Sequence, residues 1–100
     1  MEWQWTWGGI SFGYRERDNL WTYDGRHVGR FYGEEVYASD GRYLGEIKNK
    51  NRLITNLGKK HWRRASFSPY ANRAGYAPYV NYVGYVMYVG YEDFPAPEKI

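Results

Sequence analysis

A similar eight-residue stretch occurs twice, sixteen positions apart, in this chain of 100 residues, with four of its eight letters identical. DGRHVGRF begins at Asp24, and DGRYLGEI begins at Asp40. The same spacing relates two further sets of residues, which are Gly9, Gly25 and Gly41, and Gly13, Gly29 and Gly45. A period this regular indicates one structural unit used several times. It predicts four units, which are 7–22, 23–38, 39–54 and 55–70, with degenerate first and last copies.

Each unit has the pattern of a β-hairpin. Asp24–Gly25 and Asp40–Gly41 are turn signals, because Asp caps a turn locally and Gly accepts a positive φ. The strands that follow place Val28 or Leu44 between polar neighbours. No segment has the apolar spacing of a convincing helix. The sequence therefore predicts an all-β fold built from short hairpins.

The stretch NLWTYDGRHVGRFYGEEVYASDGRYLGEIKNKNRLI resembles the four-fold β-flower family of small bacterial proteins and domains. The resemblance covers roughly residues 7–67 and extends less closely to the tail. It implies four β-hairpin petals in a pseudo-four-fold arrangement, and it brings no activity and no catalytic residues. We expect a four-hairpin domain over residues 1–70, followed by an extended tyrosine-rich segment over residues 71–100.

Aromatic side chains dominate the apolar content of the chain, with 12 Tyr, 5 Trp and 4 Phe. The N-terminal strand WQWTW places Trp3, Trp5 and Trp7 on one face. We expect that face to pack on the domain core or on a neighbouring subunit. The alternative is a stacking platform for bases or sugars.

Tyrosine recurs at every third position from Tyr76 to Tyr91. A helix would spread these rings around its whole circumference, whereas an extended or polyproline II segment can align them. We expect this segment to wrap against the domain or another copy, and the alternative is a disordered tail. The rings expected to be largely buried, partly against a second chain, are Tyr79, Tyr82, Tyr85 and Tyr88. Self-association of the protein would follow, with Trp3 and Trp5 as further candidates.

Charge is unevenly distributed, since no acidic residue lies between Ile47 and Tyr91. The densest basic part of this window is KKHWRR, which comprises Lys59, Lys60, His61, Trp62, Arg63 and Arg64. Cations beside a ring can neutralise phosphates and stack on a base, so the stretch is a candidate nucleic-acid or anion site. The competing interpretation is a solvated loop that pairs with the acidic turns Glu34–Glu35 or Glu92–Asp93. An anionic lipid or an acidic protein is a further possible partner.

Catalytic and metal chemistry have little support in the residues. Two histidines and no cysteine offer no metal-ligand spacing, and we expect neither a metal nor another cofactor. His27 with Asp24 or Asp40 could form a base–acid pair, as in small nuclease toxins. The repeat, however, places Tyr43 at the position of His27, which suggests tolerance for any planar side chain.

These observations together favour a non-enzymatic module that associates with itself through its aromatic terminal segments. Nucleic-acid binding through Lys59–Arg64 is the alternative, and a toxin-type nuclease or other small enzyme is third. The N-terminus lacks the pattern of a signal peptide, and no apolar run is long enough to span a membrane. We therefore expect a cytoplasmic protein.

Overall fold

The predicted all-β class is confirmed by a computed structural model that describes all of residues 1–100. The chain forms eight strands and two short 3₁₀ turns, Leu57–Lys59 and Pro97–Lys99, and it has no α-helix. The strands are β1 (Glu2–Thr6), β2 (Ser11–Glu16), β3 (Asn19–Thr22), β4 (His27–Tyr32), β5 (Glu35–Tyr37), β6 (Tyr43–Lys48), β7 (Arg52–Asn56) and β8 (Tyr91–Asp93). None of the helical turns could cross a membrane.

The first seven strands form a closed barrel. Each pairs antiparallel with the next along the chain, and β1 also pairs in parallel with β7, where Trp5 lies opposite Arg52. β8 pairs antiparallel with β7 just beyond this contact, with Asp93 opposite Ile54. Closure is physically favourable because it removes the free edges that an open sheet would present to other chains.

The sixteen-residue period is visible in the strands themselves. β2, β4 and β6 begin at residues 11, 27 and 43, and each is six residues long. The pairing register shifts between residues 4 and 5, between 20 and 21, and between 36 and 37. The hairpins β2–β3, β4–β5 and β6–β7 thus follow one another at this spacing, and the shift recurs where the first strand of each pairs with the strand before it.

The fourth expected unit, 55–70, does not form a hairpin. β7 ends at Asn56, a 3₁₀ turn follows, and the chain then leaves the sheet. The reason is competition for the edge of β7, which β1 and β8 already occupy. The extended C-terminal segment therefore begins near residue 61 and not at residue 71.

Aliphatic and phenylalanine side chains form the apolar core. Phe94, from the segment after β8, packs in this cluster and fits beside Gly45. The buried members are Phe12, Leu20, Val28, Phe31, Val36, Ala38, Leu44, Leu53 and Phe94. The tryptophans and tyrosines belong to a second layer, described below.

Residues 61–90, called the belt from here on, run around the barrel and form no strand of its sheet, apart from an isolated bridge between Arg63 and Arg42. The belt starts after the 3₁₀ turn at Leu57 and returns to it, since the Leu57 amide donates to the Gly90 carbonyl at 2.9 Å. Between these points it passes the turns at Gly41, Gly25 and Gly9 in that order. The belt therefore completes a circuit.

The repeated glycines explain the repeated sequence. Gly9, Gly25 and Gly41 have φ values of 96°, 90° and 92°, which residues with a Cβ atom rarely adopt. A Cβ atom at any of the three would also collide with a belt carbonyl oxygen, that of Tyr82, Arg73 or Arg64. Each of these three turns is thus a place where two backbones meet.

Replacing Gly25 with alanine should destabilise the protein by about 3 kcal/mol or more, because backbone strain adds to the collision with Arg73. Gly33→Ala is the matched control, since Gly33 also has a positive φ of 62° but has no atom near its missing Cβ. It should cost about 1 kcal/mol. Denaturant unfolding measures both, and equal losses would show that the belt contact adds nothing.

Candidate interaction site: the belt and the aromatic layer beneath it

The belt is held to the barrel by main-chain hydrogen bonds that repeat every nine residues. Belt amides donate to carbonyls on successive turns at distances from 2.7 to 3.1 Å. The pairs are Arg64 with Gly41, Arg73 with Gly25 and Tyr82 with Gly9, and then Phe67 with Ser39, Tyr76 with Tyr23 and Tyr85 with Trp7. Nine residues of belt therefore span the same arc as sixteen residues of barrel.

Every third belt residue faces the barrel. We call this set the inner row, and all its members contact barrel aromatic rings. The members are Arg64, Phe67, Tyr70, Arg73, Tyr76, Tyr79, Tyr82, Tyr85 and Tyr88. A three-residue period thus places one row of rings on one surface, which a helix could not do.

The predicted tryptophan face lies beneath the belt of the same chain. Trp5 stacks on Tyr82 with ring centroids 3.9 Å apart, and its Nε1 donates to the Val80 carbonyl at 3.0 Å. Trp7 donates in the same way to Val86. Trp5 and Trp7 are 5% and 1% exposed, so their faces are closed to the bases or sugars of the alternative interpretation.

Tyr79, Tyr82, Tyr85 and Tyr88 are only half covered in the single chain, with exposed fractions from 43% to 52%. One side of each ring contacts Trp3, Trp5 or Trp7, and the rest meets solvent. The burial expected of these tyrosines is therefore not reached within one chain.

A second row of belt residues, which we call the outer row, faces away from the barrel. It also has a period of three, and all its members are exposed. The members are Ala65, Ser68, Ala71, Ala74, Ala77, Val80, Val83, Val86 and Val89. The first five members of the row therefore have small side chains, and the last four, which form its valine half, are all valine.

Arg52 connects the belt to the barrel at the place where β1 pairs with β7. Its guanidinium donates to the Trp7 carbonyl at 3.1 Å and to the Val83 carbonyl at 2.9 Å. It also lies over the rings of Tyr82 and Tyr85, at 5.4 and 4.2 Å from their centroids. No carboxylate pairs with this cation, although the residue is only 4% exposed. Carbonyl dipoles and ring faces take the place of a counter-ion.

Two of the four cations in the basic stretch, Lys59 and Lys60, are paired with carboxylates. Lys59 donates to Glu35 at 2.8 Å and to Glu46 at 2.9 Å, and Lys60 donates to Glu92 at 2.7 Å. Burial disfavours the Lys59 ammonium, but its hydrogen bonds to the two glutamates outweigh that effect and raise its pKa. These contacts are of the kind that the competing interpretation expected.

The other members of the stretch have no carboxylate partner. Arg64 lies over the ring of Tyr32 at 4.3 Å and over that of Tyr37 at 5.5 Å. Trp62 is 42% exposed, with the Lys59 ammonium 5.1 Å from its ring. His61 and Arg63 are exposed, and neither side chain has an ion pair.

The base–acid pair suggested for His27 is not formed. His27 is 6% exposed, and its two ring nitrogens contact main-chain atoms of Gly29 and Tyr70. Asp24 instead interacts with Arg26, and Asp40 with Arg42. The turn aspartates are thus engaged by the arginines that follow the glycines.

One open cleft of about 450 Å³ lies between the β2–β3 turn and the belt. It is lined by Glu16, Arg17, Asn19, Tyr70 and Arg73. Arg73 pairs with Glu16 at 2.7 Å and covers the Trp21 ring at 3.7 Å, so its charge is already matched. No group of three His, Asp or Glu side chains comes together as a metal ion would require.

The nine-residue repeat of the belt was missed at the sequence level. RASFSPYAN, RAGYAPYVN and YVGYVMYVG follow one another from Arg64 to Gly90. The signal was readable, but the arginines at the first position and Phe67 hide it from a count of tyrosines alone. Arg64, Phe67, Tyr70 and Arg73 therefore belong to the same row as the tyrosines.

Comparison of the chain with protein-family models, with curated proteins and with solved structures finds no match.

Arg52→Lys should lower the free energy of unfolding by about 2 kcal/mol, because one ammonium cannot bridge two carbonyls and stack on two rings. Arg42→Lys is the control, since Arg42 is a half-exposed surface arginine paired with Asp40. It should change stability by less than about 0.5 kcal/mol. Denaturant unfolding measures the free energy of unfolding of both variants. An Arg52→Lys variant as stable as wild type would show that the β1–β7 closure does not depend on the guanidinium.

Proposed function

We propose that the protein is a non-enzymatic interaction module that associates with itself through the valine half of the outer row. One observation supports this most directly. Val80, Val83, Val86 and Val89 are 77%, 87%, 89% and 102% exposed, in succession along one rigidly docked segment. Single exposed valines are ordinary, but a contiguous apolar row on a protein surface is typical of an interaction site.

The neighbouring tyrosines enlarge this surface. Tyr79, Tyr82, Tyr85 and Tyr88 are about half exposed and lie alongside the valines in the same segment. Tyrosine is enriched at interfaces because it combines a large ring with a polar end. A partner that covered the valines would also cover the open sides of these rings.

A second copy of the chain is the partner whose chemistry fits this surface. No charged side chain occurs from Ala74 to Tyr91, so an acidic peptide or a nucleic acid would find no cation to pair with there. Valine packs on valine, and a tyrosine hydroxyl both donates and accepts hydrogen bonds. Such a surface is self-complementary, as the two-fold interface of a homodimer requires.

We further propose that the barrel and belt share a pseudo-four-fold arrangement. Glu16, Tyr32 and Lys48, which are sixteen residues apart, contact Arg73 and Arg64 of the belt and Tyr91 of β8. These three contacted residues are separated by multiples of nine positions. Three hairpins fill three quarters in this description, and β1 with β8 fills the fourth. The resemblance to the four-fold β-flower family is consistent with it.

The basic stretch supports the alternative function less well. Lys59 and Lys60 are paired with glutamates, and these pairs would have to break before the lysines could neutralise phosphates. That exchange costs much of the electrostatic gain on which non-specific nucleic-acid binding depends. An enzymatic function has no convergent set of catalytic groups to support it.

The test compares two pairs of substitutions at equivalent positions of the outer row. Val83→Asp with Val86→Asp should abolish self-association, because burying four carboxylates in a two-fold interface is prohibitive. Ala74→Asp with Ala77→Asp adds the same charges nine residues earlier and should leave association intact. Light-scattering mass over a range of concentrations gives the result, and thermal melting confirms that both variants are folded.

A wild-type protein that stays monomeric at high concentration would overturn the proposal. So would a Val83/Val86 variant that associates as well as wild type. A monomer that shifts short RNA or DNA in a salt-dependent way would favour the basic stretch instead.

A further inference from the structure

His27 is hydrogen bonded to the belt main chain through its imidazole. The Tyr70 amide donates to Nδ1 at 3.0 Å, and Nε2 lies 3.0 Å from the Gly29 carbonyl oxygen. An amide can only donate and a carbonyl can only accept. The ring must therefore be neutral, with its proton on Nε2 and a lone pair on Nδ1.

The surroundings of the ring oppose a second proton. The imidazole packs against Trp21 and Tyr70, each with its ring centroid 5.1 Å away, and against Phe67 at 5.4 Å. The charged groups around it are Arg30 on its own strand and Arg73 on the belt, and both are cations. Neither ring nitrogen pairs with a carboxylate, and Glu16 already binds Arg73.

Burial, together with the two arginines, holds the pKa of His27 below its ordinary value, although the bond to Gly29 acts in the opposite direction. A proton added to Nδ1 would also face the Tyr70 N–H, donor against donor. The docked belt and the protonated ring are thus mutually exclusive.

We propose that His27 is an acid-sensitive latch, whose protonation releases the belt between Phe67 and Arg73 from the barrel. The release uncovers the stacked rings of Trp21, His27 and Tyr70. It leaves the turn at Gly9 docked, because Arg52 holds the belt there through its hydrogen bond to the Val83 carbonyl. The latch operates within one chain and does not depend on self-association.

The direction of the effect follows from proton linkage. The docked state has the lower pKa, so the released state binds more protons, and docking weakens as the pH falls. The docked belt is fully stable above the pKa of a free histidine, about 6.5, and loses stability progressively below it. At about pH 5, the equilibrium constant for release can rise by up to about 30-fold.

Amide hydrogen exchange of the wild-type protein, followed residue by residue by NMR, tests the latch directly. Between about pH 7.5 and pH 5, the opening constant at the Tyr70 amide, corrected for intrinsic exchange, should rise by about 10- to 30-fold. The Tyr85 amide, bonded to the Trp7 carbonyl beside Arg52, is the internal reference and should change little. An equal rise at both amides, or no rise at Tyr70, overturns the proposal.

Two histidine variants complete the experiment. His27→Gln retains an oxygen that can accept from the Tyr70 amide but cannot titrate, so the selective rise should disappear. His61→Gln removes the exposed histidine at the start of the belt and should leave the rise intact. A selective rise that persisted in His27→Gln would assign the effect to another group. If that variant failed to fold, the wild-type comparison of Tyr70 with Tyr85 would still decide.

Discussion

The main-chain contact between the belt and the turns at Gly9, Gly25 and Gly41 is the interaction on which the remaining structure depends. It requires a glycine on the barrel side, because a belt carbonyl lies where a Cβ would be. It also fixes the rotation of the belt, since the donating amides belong to the inner row. Once these amides are bound, the rings of the inner row face the barrel and the outer row faces solvent.

The aromatic layer compensates for a small aliphatic core. Only nine Leu, Ile or Val residues occur in the first 70, and the central cluster is correspondingly small. Trp5, Trp7, Tyr14, Trp21 and Tyr37 form a second layer outside it and are nearly fully buried. The belt covers most of this layer and, at Arg52 and Trp5, satisfies polar groups that would otherwise be buried alone. Buried apolar surface is thus divided between the central core and the aromatic layer around it.

Local patterns predicted the hairpins because the information for a hairpin is local. The Asp-Gly turns and the flanking alternation fall within a few residues of one another, and the strands begin where the repeat places them. The prediction of a fourth hairpin was wrong for a non-local reason. Strand β1, from the other end of the sequence, occupies the edge of β7. The hydrogen bond of Arg52 to the Trp7 carbonyl depends on this closure. Barrel closure is not encoded in any short segment.

The belt meets the barrel in the reverse of chain order, and this has a consequence for folding. Arg64 docks on a glycine 23 residues earlier, Arg73 on one 48 residues earlier, and Tyr82 on one 73 residues earlier. Closing the longest of these loops in one step is the most costly in entropy, whereas each docked turn leaves only nine further residues to place. We therefore expect the belt to dock first at Gly41 and last at Gly9. In pulse-labelled hydrogen exchange, the Arg64 amide should become protected before the Tyr82 amide. Strand β1 would then be the last part of the barrel to be covered, and its tryptophans would stay exposed until winding is complete.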